Sequence, residues 1–264
     1  MSKDNEASIL WLIVASISII LHVVGIFSLC SLRRRKVSDY LLILLSIVEI
    51  LKITMRVVFT ILCMSTGVCR RTNVLITTVA ICLIGQYQSV ILITVDRVLK
   101  VKLSMKYNAL VTRNIIFRLL IPYVSICLVH GSITWIFPHL EIKILMAWEI
   151  LVFAIIIISY LYMFLHLKIS ARRLSRRSAS TIRRQTLNLK VPILISVTFI
   201  AFYFTPNLLL AVKLIKFSPW LYSIYDLNIA TDAMIYIWGT PKIRERLCSS
   251  RVRKSSNIST IKIK

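Results

Sequence analysis

Acidic residues are scarce in this sequence: 10 Asp and Glu stand against 34 Lys and Arg in 264 residues, a formal net charge of +24. Such an excess suits nucleic-acid binding when the basic residues cover a soluble core. Here they cluster between long apolar runs, which excludes nucleic acid as the partner. Glycine is scarce too, with 5 residues, and they form no glycine-rich phosphate loop. The four histidines, His22, His130, His139 and His166, lie in different apolar runs or at their ends and lack metal-ligand spacing; His22 and His130 read as packed core residues. The sequence therefore offers no enzyme constellation, and no cofactor or metal is expected. The six cysteines, Cys30, Cys63, Cys69, Cys82, Cys127 and Cys248, fall mostly inside apolar runs, the pattern of packed thiols rather than of a disulfide framework.

Apolar side chains are what the sequence has in excess. Hydrophobic residues make up 58% of it and mean hydropathy is +0.81, too apolar for a soluble domain that must cover its surface with polar groups. Seven runs stand out: Ser8–Leu32, Tyr40–Met64, Asn73–Val95, Ile115–Phe137, Ile144–Leu167, Val191–Leu214 and Trp220–Trp238. Each is about 20 residues, enough to cross about 30 Å of hydrocarbon at about 1.5 Å per residue. The predicted fold is all-α: a seven-transmembrane helix bundle over residues 8–238, a short outer N-terminus (1–7), and a cytoplasmic tail (239–264) with a short amphipathic helix. The connecting loops are too short to hold a separate domain.

Basic residues near span ends stay on the cytoplasmic side. The loops after spans one, three and five, together with the tail, carry 26 of the 34 Lys and Arg; the opposite side carries 6, and Lys52 and Arg56 lie within span two. The N-terminus is expected outside and the C-terminus inside, in the plasma membrane. The first run is preceded by Asp4 and Glu6 and ends in Arg33-Arg34-Arg35-Lys36 without a small-residue cleavage site, so it reads as a retained signal-anchor. The sequon Asn257-Ile258-Ser259 falls in the predicted cytoplasmic tail and is expected to stay unglycosylated.

Asp96-Arg97 sits at the inner end of span three, before a basic loop that contains residues 106–112, Lys-Tyr-Asn-Ala-Leu-Val-Thr. An Arg at the hydrocarbon edge is costly unless it is paired or snorkels to water. Asp96 can hold it in a closed bundle, and release frees its guanidinium for a partner's carbonyls. The plainer alternative is a helix cap in the interface. Other stretches follow in order: Tyr40 to Glu49 in span two, Phe202-Tyr203-Phe204-Thr205-Pro206 in span six, Asp232-Ala233-Met234-Ile235-Tyr236 ending span seven, then Thr240 to Cys248. Taken together, the chain resembles the rhodopsin-like G-protein-coupled receptors over essentially its whole length. These stretches are similar to that family's D-R-Y, span-two acid, F-x-C-W-x-P and (N/D)PxxY motifs, and to its inner-leaflet helix.

The resemblance implies a switch. Pro206 would hinge span six, Phe204 would take the place of the family's trigger Trp, and Tyr160 and Tyr236 would close around the freed Arg97. A helix-kinking Pro and interfacial Tyr are also ordinary structural features. Several positions depart from the family: Ala233 for Pro, Val98 for Tyr after Arg97, Val152 for the span-five Pro, and Thr72 for the span-three Cys, so the family disulfide cannot form. The missing disulfide, the short second outer loop and Asp232 are similar to melanocortin-type receptors, and residues 107–112 to the adenosine type.

Glu49, Lys52 and Arg56 fall at i, i+3 and i+7, on one helical face. Charges at membrane depth are expected to face the bundle interior and pair. By the resemblance, Glu49 and Asp232 would hold a sodium ion, and Lys52 one turn above would compete with it, weakening sodium regulation. Arg56 is expected to face a ligand cavity opposite Glu149 and Asp226. These charges either only neutralise one another or receive a ligand bearing an acidic group. The family's amine-binding Asp falls at Val79 and the retinal Lys at Asp226, which argues against amine and retinal ligands. Basic residues between Ala171 and Arg184 suit anionic lipid, and Cys248 with its neighbouring serines permits palmitoylation and phosphorylation. The expected function is to sense an extracellular ligand and activate a heterotrimeric G protein. The alternatives are a receptor-like membrane binding protein that does not signal, and a channel or transporter; for the last, the twofold internal repeat of many transporters is missing.

Overall fold

A computed structural model describes residues 3–32, 36–66, 73–103, 106–137, 140–173 and 193–211, and, of the last apolar run, 224, 227, 228, 230–232, 234 and 235. All regular structure among the described residues is helical, with no strand. Helix α1 spans Lys3–Cys30, α2 Val37–Thr66, α3 Asn73–Leu103, the single turn α4 Tyr107–Leu110, α5 Arg113–Ile136 and α6 Glu141–Arg173. A further helix, α7, covers 193–211 and contains a π turn at Ile200–Phe204 followed by Thr205–Ala211. The described residues from 224 to 235 are helical as well.

Among the described residues, four helices are long and apolar enough to cross a membrane, with spans Trp11–Cys30, Thr77–Leu103, Phe117–Ile136 and Lys143–His166; α7 holds a shorter apolar stretch, Ile193–Leu209. Helix α2, at 30 residues, has the length, but Glu49, Lys52 and Arg56 load its middle with charge. Several helices run past the apolar runs read from the sequence, α2, α3 and α6 among them. Helix α3 continues eight residues beyond Val95 to Leu103, because Lys100 and Lys102 favour helix and leave the apolar layer without ending the hydrogen-bond ladder.

Helix α3 is the hub, packing against α2, α5 and α6, while α1 packs against α2. Its apolar span is 61% buried, against 28% in α1 and α5 and 17% in α6. The outer surface is correspondingly apolar, with Phe27, Ile121, Ile158 and Phe164 all exposed. Much of the polarity points inward: Glu49, Lys52, Ser89 and Asn228 are fully buried. Large continuous apolar surface is a liability in water and is the natural state of a lipid-facing wall. Where α5 crosses α3, a side-chain carbon on Gly131 would come within 2.6 Å of Ile81, the close approach that small residues permit between membrane helices.

Candidate functional site

Residues 86–88 of α3 are Gln-Tyr-Gln, and consecutive helical side chains fan out by about 100°. Each therefore faces a different neighbour. Gln86 accepts from Lys52 Nζ of α2 at 2.6 Å, Tyr87 donates to Glu149 Oε1 of α6 at 2.5 Å, and Gln88 Nε2 lies 3.5 Å from Cys127 Sγ of α5. One turn of α3 thus ties three helices through polar contacts in an otherwise apolar layer, where each such group must be satisfied.

The contact towards α2 belongs to a larger network. Gln86 Nε2 donates to Glu49 Oε1 at 3.3 Å, and His22 Nε2 of α1 lies 2.9 Å from Glu49 Oε2. Asp232 accepts from Thr198 Oγ1 at 2.8 Å and from Asn228 Nδ2 at 3.3 Å, and feels the charges of both Glu49 and Lys52. Glu49 and Lys52 thus share Gln86 as a partner, while Asp232 is held by Thr198 and Asn228. His22, Gln86, Thr198 and Asn228 complete these contacts; in the sequence each carries only the signal of a polar side chain at membrane depth.

About ten residues along α3, or about 15 Å, Asp96 forms a second cluster. Ser38 Oγ of α2 donates to Asp96 Oδ2 at 3.0 Å, Lys100 Nζ pairs with the same oxygen at 2.8 Å, and Tyr107 donates to Asp96 Oδ1. Burial, and then the bond to Asp96, raise the Tyr107 phenol above its ordinary range, so it stays a donor. Arg97 Nε lies 3.8 Å from Asp96 Oδ2 and has no hydrogen bond. The reason is geometric: adjacent residues point about 100° apart on a helix, whereas Lys100, four residues on, returns to the Asp96 face. The carboxylate is thus held chiefly by Lys100, Ser38 and Tyr107, with Arg97 loosely paired beside it. Tyr160 of α6 packs near Val98, Val101 and Met163, accepts from Ser196 Oγ of α7 at 3.0 Å and feels the Arg97 charge.

A third cluster surrounds Glu149, which accepts from Asn207 of α7 as well as from Tyr87. Asn207 follows Pro206, whose nitrogen cannot donate and whose ring crowds the preceding turn. The chain answers with the π turn: the N–H of Thr205 reaches Ile200 O, which also accepts from Thr205 Oγ1 at 2.9 Å. Phe204 stacks on Phe153 of α6, centroids 4.1 Å apart and planes parallel within 1°. Pro206 is buried, and Arg56 and Val79 are partly buried. Asp226, Tyr236, Cys248 and most of the Ala171–Arg184 loop lie outside the described residues. Among the described residues no group of His, Cys, Asp and Glu could hold a metal. No protein-family model and no curated protein sequence matches the chain.

Proposed function

We propose that the chain is a seven-helix receptor of the rhodopsin-like kind, which senses an extracellular ligand and activates a heterotrimeric G protein through a cytoplasmic crevice at Asp96-Arg97. The observation that carries this proposal is the Asp96 cluster. A carboxylate held by donors from α2, α3 and α4 ties the ends of those elements together, beside a guanidinium whose Nε makes no hydrogen bond. The excess of basic residues in the adjoining segments supports a cytoplasmic location for this end.

In the mechanism, a ligand binding at the far end favours one of two bundle states. The π turn and Pro206 loosen the backbone ladder of α7 at one level, so the segment bearing Ser196 and Thr198 can swing while the other half stays packed. Its swing breaks the Ser196–Tyr160 contact, frees space beside Arg97, and opens a crevice into which the G protein inserts. Asp96 keeps α2, α3 and α4 in register, and Arg97 presents its donors to the inserted chain.

The deciding experiment compares wild type and Arg97→Ala in lipid nanodiscs with purified G-protein heterotrimers. Wild type is expected to accelerate nucleotide exchange above the receptor-free rate, and Arg97→Ala to abolish that acceleration while keeping its thermal stability. Exchange that is equal in both would leave a membrane protein that binds without signalling.

A further inference from the structure

The Asp96 cluster contains one group that a modifying enzyme can alter, the hydroxyl of Ser38. Ser38 is the second residue of α2 and is 6% exposed. Its hydroxyl works in both directions: it donates to Asp96 Oδ2 at 3.0 Å and accepts from Lys100 Nζ, which also pairs with that carboxylate oxygen at 2.8 Å. Arg33, Arg34, Arg35 and Lys36 precede it in the sequence, with only Val37 between. Kinases choose substrates by such charge patterns, an acidic substrate groove reading the basic residues ahead of the acceptor serine. The pattern alone is common in basic loops. What sets Ser38 apart is that its Oγ ties the start of α2 to α3.

We propose that Ser38 is a phosphorylation site for a basic-directed serine kinase, reached only when the Asp96 cluster is open, and that the phosphoryl group then prevents the cluster from closing. A kinase must draw the acceptor serine and its flanks into its own cleft, which the packed first turn of α2 forbids until it opens locally. In the step, Oγ attacks the γ-phosphorus of ATP, the bond from that phosphorus to the β–γ bridging oxygen breaks, ADP leaves, and the hydroxyl proton passes to the kinase. The product carries a charge of about −1.5 to −2, and its Oγ has no hydrogen left to give. Asp96 therefore loses a donor, and a phosphorus with three further oxygens has no room between groups already 3.0 Å apart. In the open arrangement the phosphate stands on the first turn of α2, where backbone N–H groups and the helix dipole favour an anion. Asp39 already accepts from the Lys36 N–H there at 2.7 Å, and the run from Arg33 to Lys36 offsets both anions. The proposal rests on the reading of the Asp96 cluster as an opening latch, and not on G-protein coupling.

The test incubates the full chain in lipid nanodiscs, where both faces meet the solution, with ATP and the catalytic subunit of the cyclic-AMP-dependent protein kinase, and follows Ser38 by site-resolved mass spectrometry. A free peptide of residues 31–41 gives the rate on the same sequence unfolded. The peptide is expected to react fast, wild type slowly, and Asp96→Asn about tenfold faster than wild type, the scale of one hydrogen bond to a charged group. Opening is read separately, from maleimide labelling of Arg97→Cys in an otherwise cysteine-free chain. Labelling is expected to quicken after kinase treatment, to return to its first rate after phosphatase, and to ignore the kinase when Ser38→Ala is added. Ser175 follows Arg172-Arg173-Leu174 and offers the kinase a second target; should Ser38→Ala not fold, labelling in a Ser175→Ala chain is expected to rise in step with Ser38 occupancy. A peptide that the kinase ignores, a Ser38 unmodified in both folded chains, equal rates in wild type and Asp96→Asn, or a labelling response that persists in Ser38→Ala or is absent once Ser38 is modified would each overturn the proposal. Nucleotide exchange enters none of these readouts, so a failure here is distinct from a failure of G-protein activation.

Discussion

Replacing Lys52 with Met would keep the length and apolar volume of the side chain and delete its charge. Lys52 is fully buried and donates to Gln86 at 2.6 Å, and Gln86 in turn donates to Glu49 at 3.3 Å, so Lys52 is a buried cation one amide away from a buried carboxylate. Leaving a buried carboxylate without its neighbouring cation costs about 3–5 kcal/mol, because the remaining charge loses its compensation. With about 2–4 °C of melting temperature per kcal/mol for a chain of this size, Lys52→Met should melt on the order of 10 °C below wild type in the same nanodiscs. Adding Glu49→Gln removes one of the orphaned carboxylates and should recover part of the loss. The coupling between the two substitutions, measured as a double-mutant cycle, is expected to exceed about 1 kcal/mol in favour of the pair. A Lys52→Met chain as stable as wild type, or a double variant that loses the sum of the two single losses, would mean that Lys52 is not the internal cation of this network.

Two further outcomes follow from the same contacts. Tyr107→Phe removes one hydrogen bond to the Asp96 carboxylate, of a kind worth about 1.5–3 kcal/mol. Because Ser38 and Lys100 remain, basal nucleotide exchange should rise about tenfold, the equivalent of about 1.4 kcal/mol; basal exchange equal to wild type at matched protein level would contradict the latch. Because Lys52 already supplies a buried cation beside the Gln86–Glu49 contact, exchanging sodium for choline should leave agonist affinity unchanged in wild type, as measured by titration of ligand-stimulated exchange, and a sodium-dependent shift would show that Lys52 leaves room for the ion.

The helical layout was legible because membrane length and hydropathy are properties of contiguous sequence. Helices α1, α2 and α5 match the expected runs to within about five residues, the longer ends of α3 and α6 arise because helix propensity does not stop where the apolar layer does, and the single turn α4 belongs to none of the runs. The partners of each charge were harder to read. Glu49, Lys52 and Arg56 share a helix face by spacing alone. That Lys52 would bond to Gln86, and His22 approach Glu49, depends on the rotations of α1, α2 and α3 about their axes, which no single span encodes. The same holds at Asp96. Its tie to Lys100 was implicit in an i, i+4 spacing, whereas Ser38 lies 58 residues away in sequence, and Tyr107 reaches it because α4 folds back beneath α3. Beside the Arg97 pairing that the sequence suggests, at 3.8 Å, the carboxylate takes three closer donors, since adjacent side chains on a helix diverge.

The most direct measurement places a single cysteine at position 97 of an otherwise cysteine-free chain in intact cells or sealed inside-out vesicles, and follows its labelling by a membrane-impermeant maleimide. Labelling is expected only from the cytosolic face, slowly with Asp96 intact and faster in Asp96→Asn. Labelling from the outer face, or a rate that Asp96→Asn leaves unchanged, would contradict a latch that opens to the cytosol.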